Sequence, residues 1–332
     1  LFYKIMVIFN TTISQDNIFG SGNRVQFAFN NSDVNTRYSL GYMNPYFTDD
    51  GIGSAYDVYY RESNAEDANL AAFETKEYGA SFGLSLPVSE HNTLASSLGY
   101  ANTQISTSNV VSVQINDFIA KNGNQYDILK FAMNFAYDTR NKAILPDKGV
   151  YQRINGTISM PSFGNSLEYY KINYEGRWFK DLYNEDFILA LGGKFGYGDG
   201  YGSSEELPFF ENFYAGGPRT LRGYEENTLG PRDSSNRALG GDTRILLNAE
   251  VILPVPFLAS FKKSIRLTTF FDGGNVFGSN EDVSIDDMRY SAGLSAIWLS
   301  PFGAVSASIA MPFGDKSTDR VQNFQFNFGT SF

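Results

Sequence analysis

The chain runs to 332 residues with a formal net charge of -10, no cysteine and a single histidine. The acidic balance offers nucleic-acid phosphates no basic face, and the lack of thiols excludes disulfides and thiolate metal sites. Aromatics at 16% and 32 glycines favour strands and turns over helices. No apolar run approaches the ~18 residues a membrane helix needs, a test that barrels escape because their strands turn every second side chain away from lipid. Leu1 follows no basic segment or small-residue cleavage site, so the chain reads as mature or truncated.

Taken in order, residues 1–10 are apolar without a clean period and read as strand-like, filling the place of a first strand and part of a second. Thr11 to Gln15 leads into a glycine-rich turn at 16–23. Val25, Phe27 and Phe29 then share one face, and Asn44 to Gly51 closes the next hairpin. Tyr56, Val58 and Tyr60 follow; Tyr78, Ala80, Phe82, Leu84 and Leu86 oppose Gly79, Ser81, Gly83 and Ser85. After a turn at Ser89–Asn92 come Leu94, Leu98 and Tyr100, then Phe131, Met133, Phe135 and Tyr137. A longer turn spans 137–149. Ile154, Ile158 and Met160 oppose Arg153, Asn155 and Thr157, and Tyr170, Ile172, Tyr174 and Trp178 oppose Lys171, Asn173, Glu175 and Arg177. Phe187, Leu189, Leu191 and Phe195 precede a long irregular stretch, after which Ile245, Leu247, Ala249 and Val251 oppose Arg244, Asn248 and Glu250. Ile265, Leu267 and Phe271 oppose Arg266, Thr268 and Asp272. The series ends with Tyr290, Leu294 and Trp298, with Val305, Ala307, Ile309 and Met311, and with Phe324, Phe326, Phe328 and Phe332.

Period two dominates and helical spacing appears nowhere at length. The second face of each segment is Gly, Ser, Asn and charge, not the other half of a core. Tyr and Trp stand towards strand ends, as in an interfacial girdle, and short connections alternate with long ones. The fold expected is therefore all-β, a transmembrane antiparallel barrel, since only closure removes edges in hydrocarbon. The alternative is a soluble all-β protein with its apolar face inside.

The irregular stretch Glu211-Asn212-Phe213-Tyr214-Ala215-Gly216-Gly217, continued by Leu221-Arg222-Gly223-Tyr224, is the element around which the other segments are arranged. With Gln15-Asp16-Asn17, Asn44-Pro45-Tyr46-Phe47-Thr48, Tyr137-Asp138-Thr139-Arg140, Asn227 to Pro231, Phe271-Asp272-Gly273-Gly274-Asn275-Val276, 298–303 and 324–329, it resembles the barrel domain of the BamA family, the central subunits of outer-membrane β-barrel assembly machinery. The resemblance covers about residue 15 to Phe332 and implies a barrel of about 16 strands whose long loop folds into the lumen. It implies an integral protein of the bacterial outer membrane, with unfolded outer-membrane clients, the lipid bilayer with lipopolysaccharide, and assembly lipoproteins as partners. The residues are expected to be a barrel domain over 1–332, without the family's soluble N-terminal domains.

The family's Arg-Gly motif falls on Arg222 and Gly223, flanked by Leu221 and Tyr224, and its acidic lumen partners fall on Glu250 and Asp272. The alternation independently turns both carboxylates inward, where a guanidinium between them makes charge-assisted contacts. The direct role expected is bracing, with no bond chemistry: no catalytic residue, no metal and no cofactor. The resemblance also implies a weak seam between first and last strands, open to client strands by β-augmentation. Gly329 sits where the family's last strand kinks, against the alternative of an ordinary barrel glycine, and Phe324, Phe326, Phe328 and Phe332 resemble its C-terminal recognition signal. A related secretion or autotransporter-assembly barrel and a passive porin are the competing functions. His91 lies in a turn, Asp49-Asp50 and Glu205-Glu206 read as solvated turn residues, and Lys171, Arg177, Lys194, Arg244, Arg266 and Arg289 would select ions only in an open lumen.

Overall fold

The computed structural model describes residues 9–32, 34–107, 111–183, 187–254, 264–300 and 303–329. Strands β1 (Phe9–Gln15), β2 (Arg24–Asn31), β3 (Asn35–Asn44), β4 (Gly53–Asn64), β5 (Phe73–Pro87) and β6 (Asn92–Thr107) precede helix α1 (Val113–Asn122). Then come β7 (Gln125–Asp138), β8 (Gly149–Met160), β9 (Tyr169–Tyr183) and β10 (Phe187–Gly200). The two-residue β11 (Gly223–Tyr224) lies inside the loop 201–242. The chain continues through β12 (Thr243–Leu253), β13 (Ile265–Phe277), β14 (Arg289–Ser300), β15 (Gly303–Phe313), the short β16 (Val321–Gln322) and β17 (Phe324–Gly329).

Among the described residues, 15 strands form one sheet in sequence order from β1 to β17, every neighbour antiparallel. The remaining two, β11 and β16, pair with each other: Gly223 faces Gln322 and Tyr224 faces Val321. Thr11 to Gln15, expected to lead into a turn, are strand, while the expected strand over residues 1–10 is described only at Phe9 and Asn10. The first described strand is Phe9–Gln15, and residues 1–8 lie outside the described residues. Its polar Asn10, Thr11, Thr12, Ser14 and Gln15 hid the alternation.

The alternation sorts side chains between two environments. Leu40, Val58, Met133, Ile172, Leu191, Leu247, Leu294, Ile309 and Phe326 all point away from the sheet's inner side and are exposed. Those residues lie on nine different strands, far more apolar surface than a protein in water leaves bare, and the composition of that face suits lipid. The inner side is closed by the loop 201–242. Asn69, in the β4–β5 connection, donates to the Glu226 carbonyl, Asn227 donates back to that of Ala68, and Gln325 on β17 donates to that of Tyr224. A segment that meets walls so far apart in strand order lies inside a sheet rolled around it, as strand twist and tilt allow.

The main buried apolar cluster sits at the loop end. Ala71, Ile105, Ile115, Phe118, Tyr126, Ile128, Tyr169 and Phe209 pack together there, drawn from strand ends, α1 and the long loop. Helix α1 is a correction to the all-strand reading. Ile115, Phe118 and Ile119 recur at helical spacing over ten residues, and the first two are buried in this cluster.

Candidate functional site

The loop 201–242 is held in the lumen by anchors on several walls. The central one is Arg222. Its Nε donates to Asp272 Oδ2 at 2.7 Å and its Nη2 to Asp272 Oδ1 at 2.8 Å, a two-point fork, while its backbone N–H adds a third bond at 3.2 Å. Nη2 also pairs with Glu250 Oε1 at 2.8 Å. The guanidinium carbon stands 3.5 Å from the centre of the Phe270 ring, so one face of the cation is covered by π density. Register explains the convergence. Asn248 lies opposite Asp272 and Glu250 opposite Phe270, so β12 and β13 present all four side chains on one inward patch. Asn248 donates to Asp272 and, at 3.5 Å, to Glu250, which orients both carboxylates. Burial opposes the Arg222 charge, but Asp272 and Glu250 outweigh it and raise its pKa above the ordinary value.

The flanking residues seat the loop's backbone. Leu221 and Tyr224 are fully buried, packed with Ala215, Leu229, Leu246 and Val276. The Tyr224 hydroxyl shares its proton between the carbonyls of Tyr290 and Phe313 at 3.2 and 3.3 Å. Gly223 has φ +89°, and a Cβ there would stand 3.1 Å from the Ala310 Cβ and 3.3 Å from that of Ser291. A side chain would meet both an unfavourable backbone region and the wall made by β14 and β15.

A second anchor was not legible as such. Glu211 takes Lys130 Nζ at 2.8 Å from β7, Lys171 Nζ at 3.1 Å from β9, and the Tyr169 hydroxyl at 2.8 Å. Burial alone would push the Glu211 carboxyl up; the two ammonium charges win and hold it well below the usual carboxylate range. The inward parity of Lys130 and Lys171 was visible in the sequence, but nothing there told which carboxylate they meet.

Four of the other cations expected in the lumen, Arg244, Lys194, Arg289 and Arg266, are also tied to loops. Arg244 donates to the Tyr214 carbonyl at 3.5 Å, and Lys194 to that of Arg219 at 3.4 Å. Arg289 pairs with Asp319 at 2.7 Å. Arg266 reaches the β7–β8 turn, donating to the Pro146 carbonyl at 2.7 Å, to Asp147 Oδ1 at 2.6 Å and to the Leu145 carbonyl. This turn therefore lies against β13, which is not its neighbour in the sheet. Arg177, the remaining cation of that set, is exposed on β9.

At the sheet's end, Phe324, Phe326 and Phe328 face outward at 49%, 62% and 56% exposure, whereas Gln325 between them is buried. Gly329 is the last rung of β17, opposite Ala304. Phe332 lies outside the described residues. His91 is in the β5–β6 turn with its ring edge-on to Tyr137, Asp49 and Asp50 are in the β3–β4 turn, and Glu205 pairs with Lys121 of α1 at 2.5 Å.

These features define an integral membrane β-barrel with an apolar outer band and a lumen occupied by its own loop. The comparisons place it more narrowly. The Omp85 superfamily domain matches residues 17–332, and the chain belongs to that superfamily. The outer membrane protein assembly factor BamA of Neisseria meningitidis serogroup B is 31% identical over 364 residues, a match covering 98% of this chain and 45% of that protein. The crystal structure of BamA from Haemophilus ducreyi lacking POTRA domains 1-3 superposes with a TM-score of 0.88 at 24% identity, covering 96% of this chain and 66% of that one. CdiB from Acinetobacter baumannii is a more distant likeness, with a TM-score of 0.60 at 14% identity over 97% of this chain and 56% of the other. The chain thus spans under half the length of the curated relative, and its similarity is to the BamA barrel.

Proposed function

We propose that residues 1–332 are the outer-membrane barrel domain of a machine that inserts and assembles other β-barrel proteins in the bacterial outer membrane. The observation that carries this reading, beside the likeness to BamA, is the contrast between a braced lumen and a short final ladder. Among the described residues, which end at Gly329, β17 has 6 residues, whereas β14 and β15, next to it, have 12 and 11. Each rung of a ladder adds backbone hydrogen bonds, so a short ladder is the cheapest place to part the wall. An unfolded client brings free strand edges, and pairing with a parted edge satisfies both without exposing bare peptide groups to lipid. No bond is made or broken in this reading, and no cofactor has a step to perform. The Arg222 cluster acts by holding the loop, and Phe324, Phe326 and Phe328 face the bilayer, with its lipopolysaccharide. Assembly lipoproteins would bind mainly through soluble N-terminal domains of the family. A passive pore fits less well, because Lys171, Lys194, Arg244, Arg266 and Arg289 are engaged in loop contacts.

The test is client insertion. The purified chain in liposomes, given an unfolded outer-membrane barrel client, is expected to speed acquisition of the folded, heat-modifiable form by about tenfold over empty liposomes, equivalent to a modest lowering of the insertion barrier. Equal rates with and without the chain would overturn the reading.

A further inference from the structure

Among the described inward side chains of β17, Gln325 is the buried one, and its amide does what a strand would do. Its Nε2 donates to the Tyr224 carbonyl at 2.7 Å, and its Oε1 accepts the Gly223 N–H at 3.4 Å. Those two backbone groups lie immediately after Arg222. On their other face the same pair of residues makes the β11–β16 ladder with Val321 and Gln322, and the Glu225 N–H continues it to the Arg320 carbonyl at 2.8 Å. Arg232, further along the loop, donates to the Thr318 carbonyl at 2.6 Å. The connection from β15 to β17 is therefore laid along the loop, and the last strand is pinned from the lumen side by one amide.

Within the sheet, β17 is laddered to β15. Its ladder to β15 runs from Ile309–Phe324 to Ala304–Gly329, and among the described residues no strand pairs with its other edge.

We infer that Gln325 is a positioning residue that couples the seating of the Arg222 loop to the position of the last strand. With the loop seated by Asp272 and Glu250, Gly223 and Tyr224 stand where the Gln325 amide meets both a donor and an acceptor, and β17 is held in line with β15. If the loop shifts, the amide loses both partners at once, and among the described residues β17 is left with its β15 ladder. The dependence is reciprocal: displacing β17 removes a restraint from the residues that follow Arg222. The coupling belongs to the barrel wall and holds whether or not the chain assembles clients.

The experiment is hydrogen–deuterium exchange on the folded chain in liposomes, with heat-modifiable gel mobility as the check on folding. Gln325→Met keeps the length of the side chain and removes both hydrogen bonds. It is expected to raise exchange about tenfold at residues 223–225 and at 321–328, the effect of losing two buried bonds together. Arg222→Lys, which loosens the fork on Asp272, is expected to raise exchange at 324–328 in the parent chain but to add less than about twofold there in the Gln325→Met background, as coupled sites require. Gln325→Glu keeps the acceptor for Gly223 and loses the donor to Tyr224, so it gives a smaller rise of the same pattern and carries the test should Gln325→Met fail to fold. Unchanged exchange at 223–225 on altering Gln325, or an undiminished effect of Arg222→Lys on β17 when Gln325 is absent, would overturn the inference.

Discussion

Arg222 illustrates how one cation can organise a lumen. Its bidentate contact with Asp272 spends a carboxylate that is only 2% exposed, so deleting the arginine leaves that charge buried beside Asn248 with no cation. Arg222→Ala is expected to cost about 3–5 kcal/mol, the range for stripping one partner from a buried pair, read as a lowered urea midpoint in detergent. Arg222→Lys should cost less but not be neutral, since an ammonium cannot reproduce the fork. Glu211 sets the acid behaviour of the same loop. Its folded pKa is depressed, so its contribution is fully present above the ordinary value of about 4.5 and is lost only as pH falls through the depressed value. Protease protection of the 201–242 loop is therefore expected to stay flat from neutral pH to about 4.5 and to fall below it. Glu211→Gln should lose part of that protection already at neutral pH, and a loop released near neutrality in the parent would contradict the assignment.

The elements divide by how local their causes are. β9 was legible because Tyr170, Ile172 and Tyr174 meet lipid while Lys171 and Asn173 meet the lumen, so environment wrote itself into period two. The acid pair Glu250 and Asp272 was legible by the same parity, helped by the family resemblance. What the sequence did not reveal depends on contacts across the barrel. Helix α1 is short, and its periodicity means little until Ile115 and Phe118 are seen against Phe209 and Tyr126. Gln325 reads as one polar inward residue among many; its value comes from a loop 101 positions away. The β7–β8 turn is a similar case, since Leu145, Pro146 and Asp147 contact only one distant arginine strongly. Arg266→Ala should free this turn, increasing proteolysis within 139–148 while leaving the 201–242 loop protected. Equal loosening of both would show that the two are one unit.

At the scale of the whole molecule, a rolled sheet is braced from within, and its last described strand, β17, is short. The loop ties β7, β9, β12, β13 and β17 to one interior body, through Glu211, Arg222 and Gln325. Such bracing concentrates compliance where ladders are shortest, which is the physical basis of the proposed assembly role. In the proposed role, the outer apolar face keeps the barrel in lipid while a parted edge beside β17 would offer a client the one thing bilayers deny it, a backbone partner. The cysteine-free sequence makes this directly testable. Pairs of single cysteines in β1 and β17 would be screened in liposomes for one that oxidises and so seals the seam, and client insertion would be timed before and after its reduction. The account predicts that sealing slows insertion about tenfold and that reduction restores it, as expected if parting the seam lowers the barrier. Insertion at the same rate through a fully sealed barrel would contradict it.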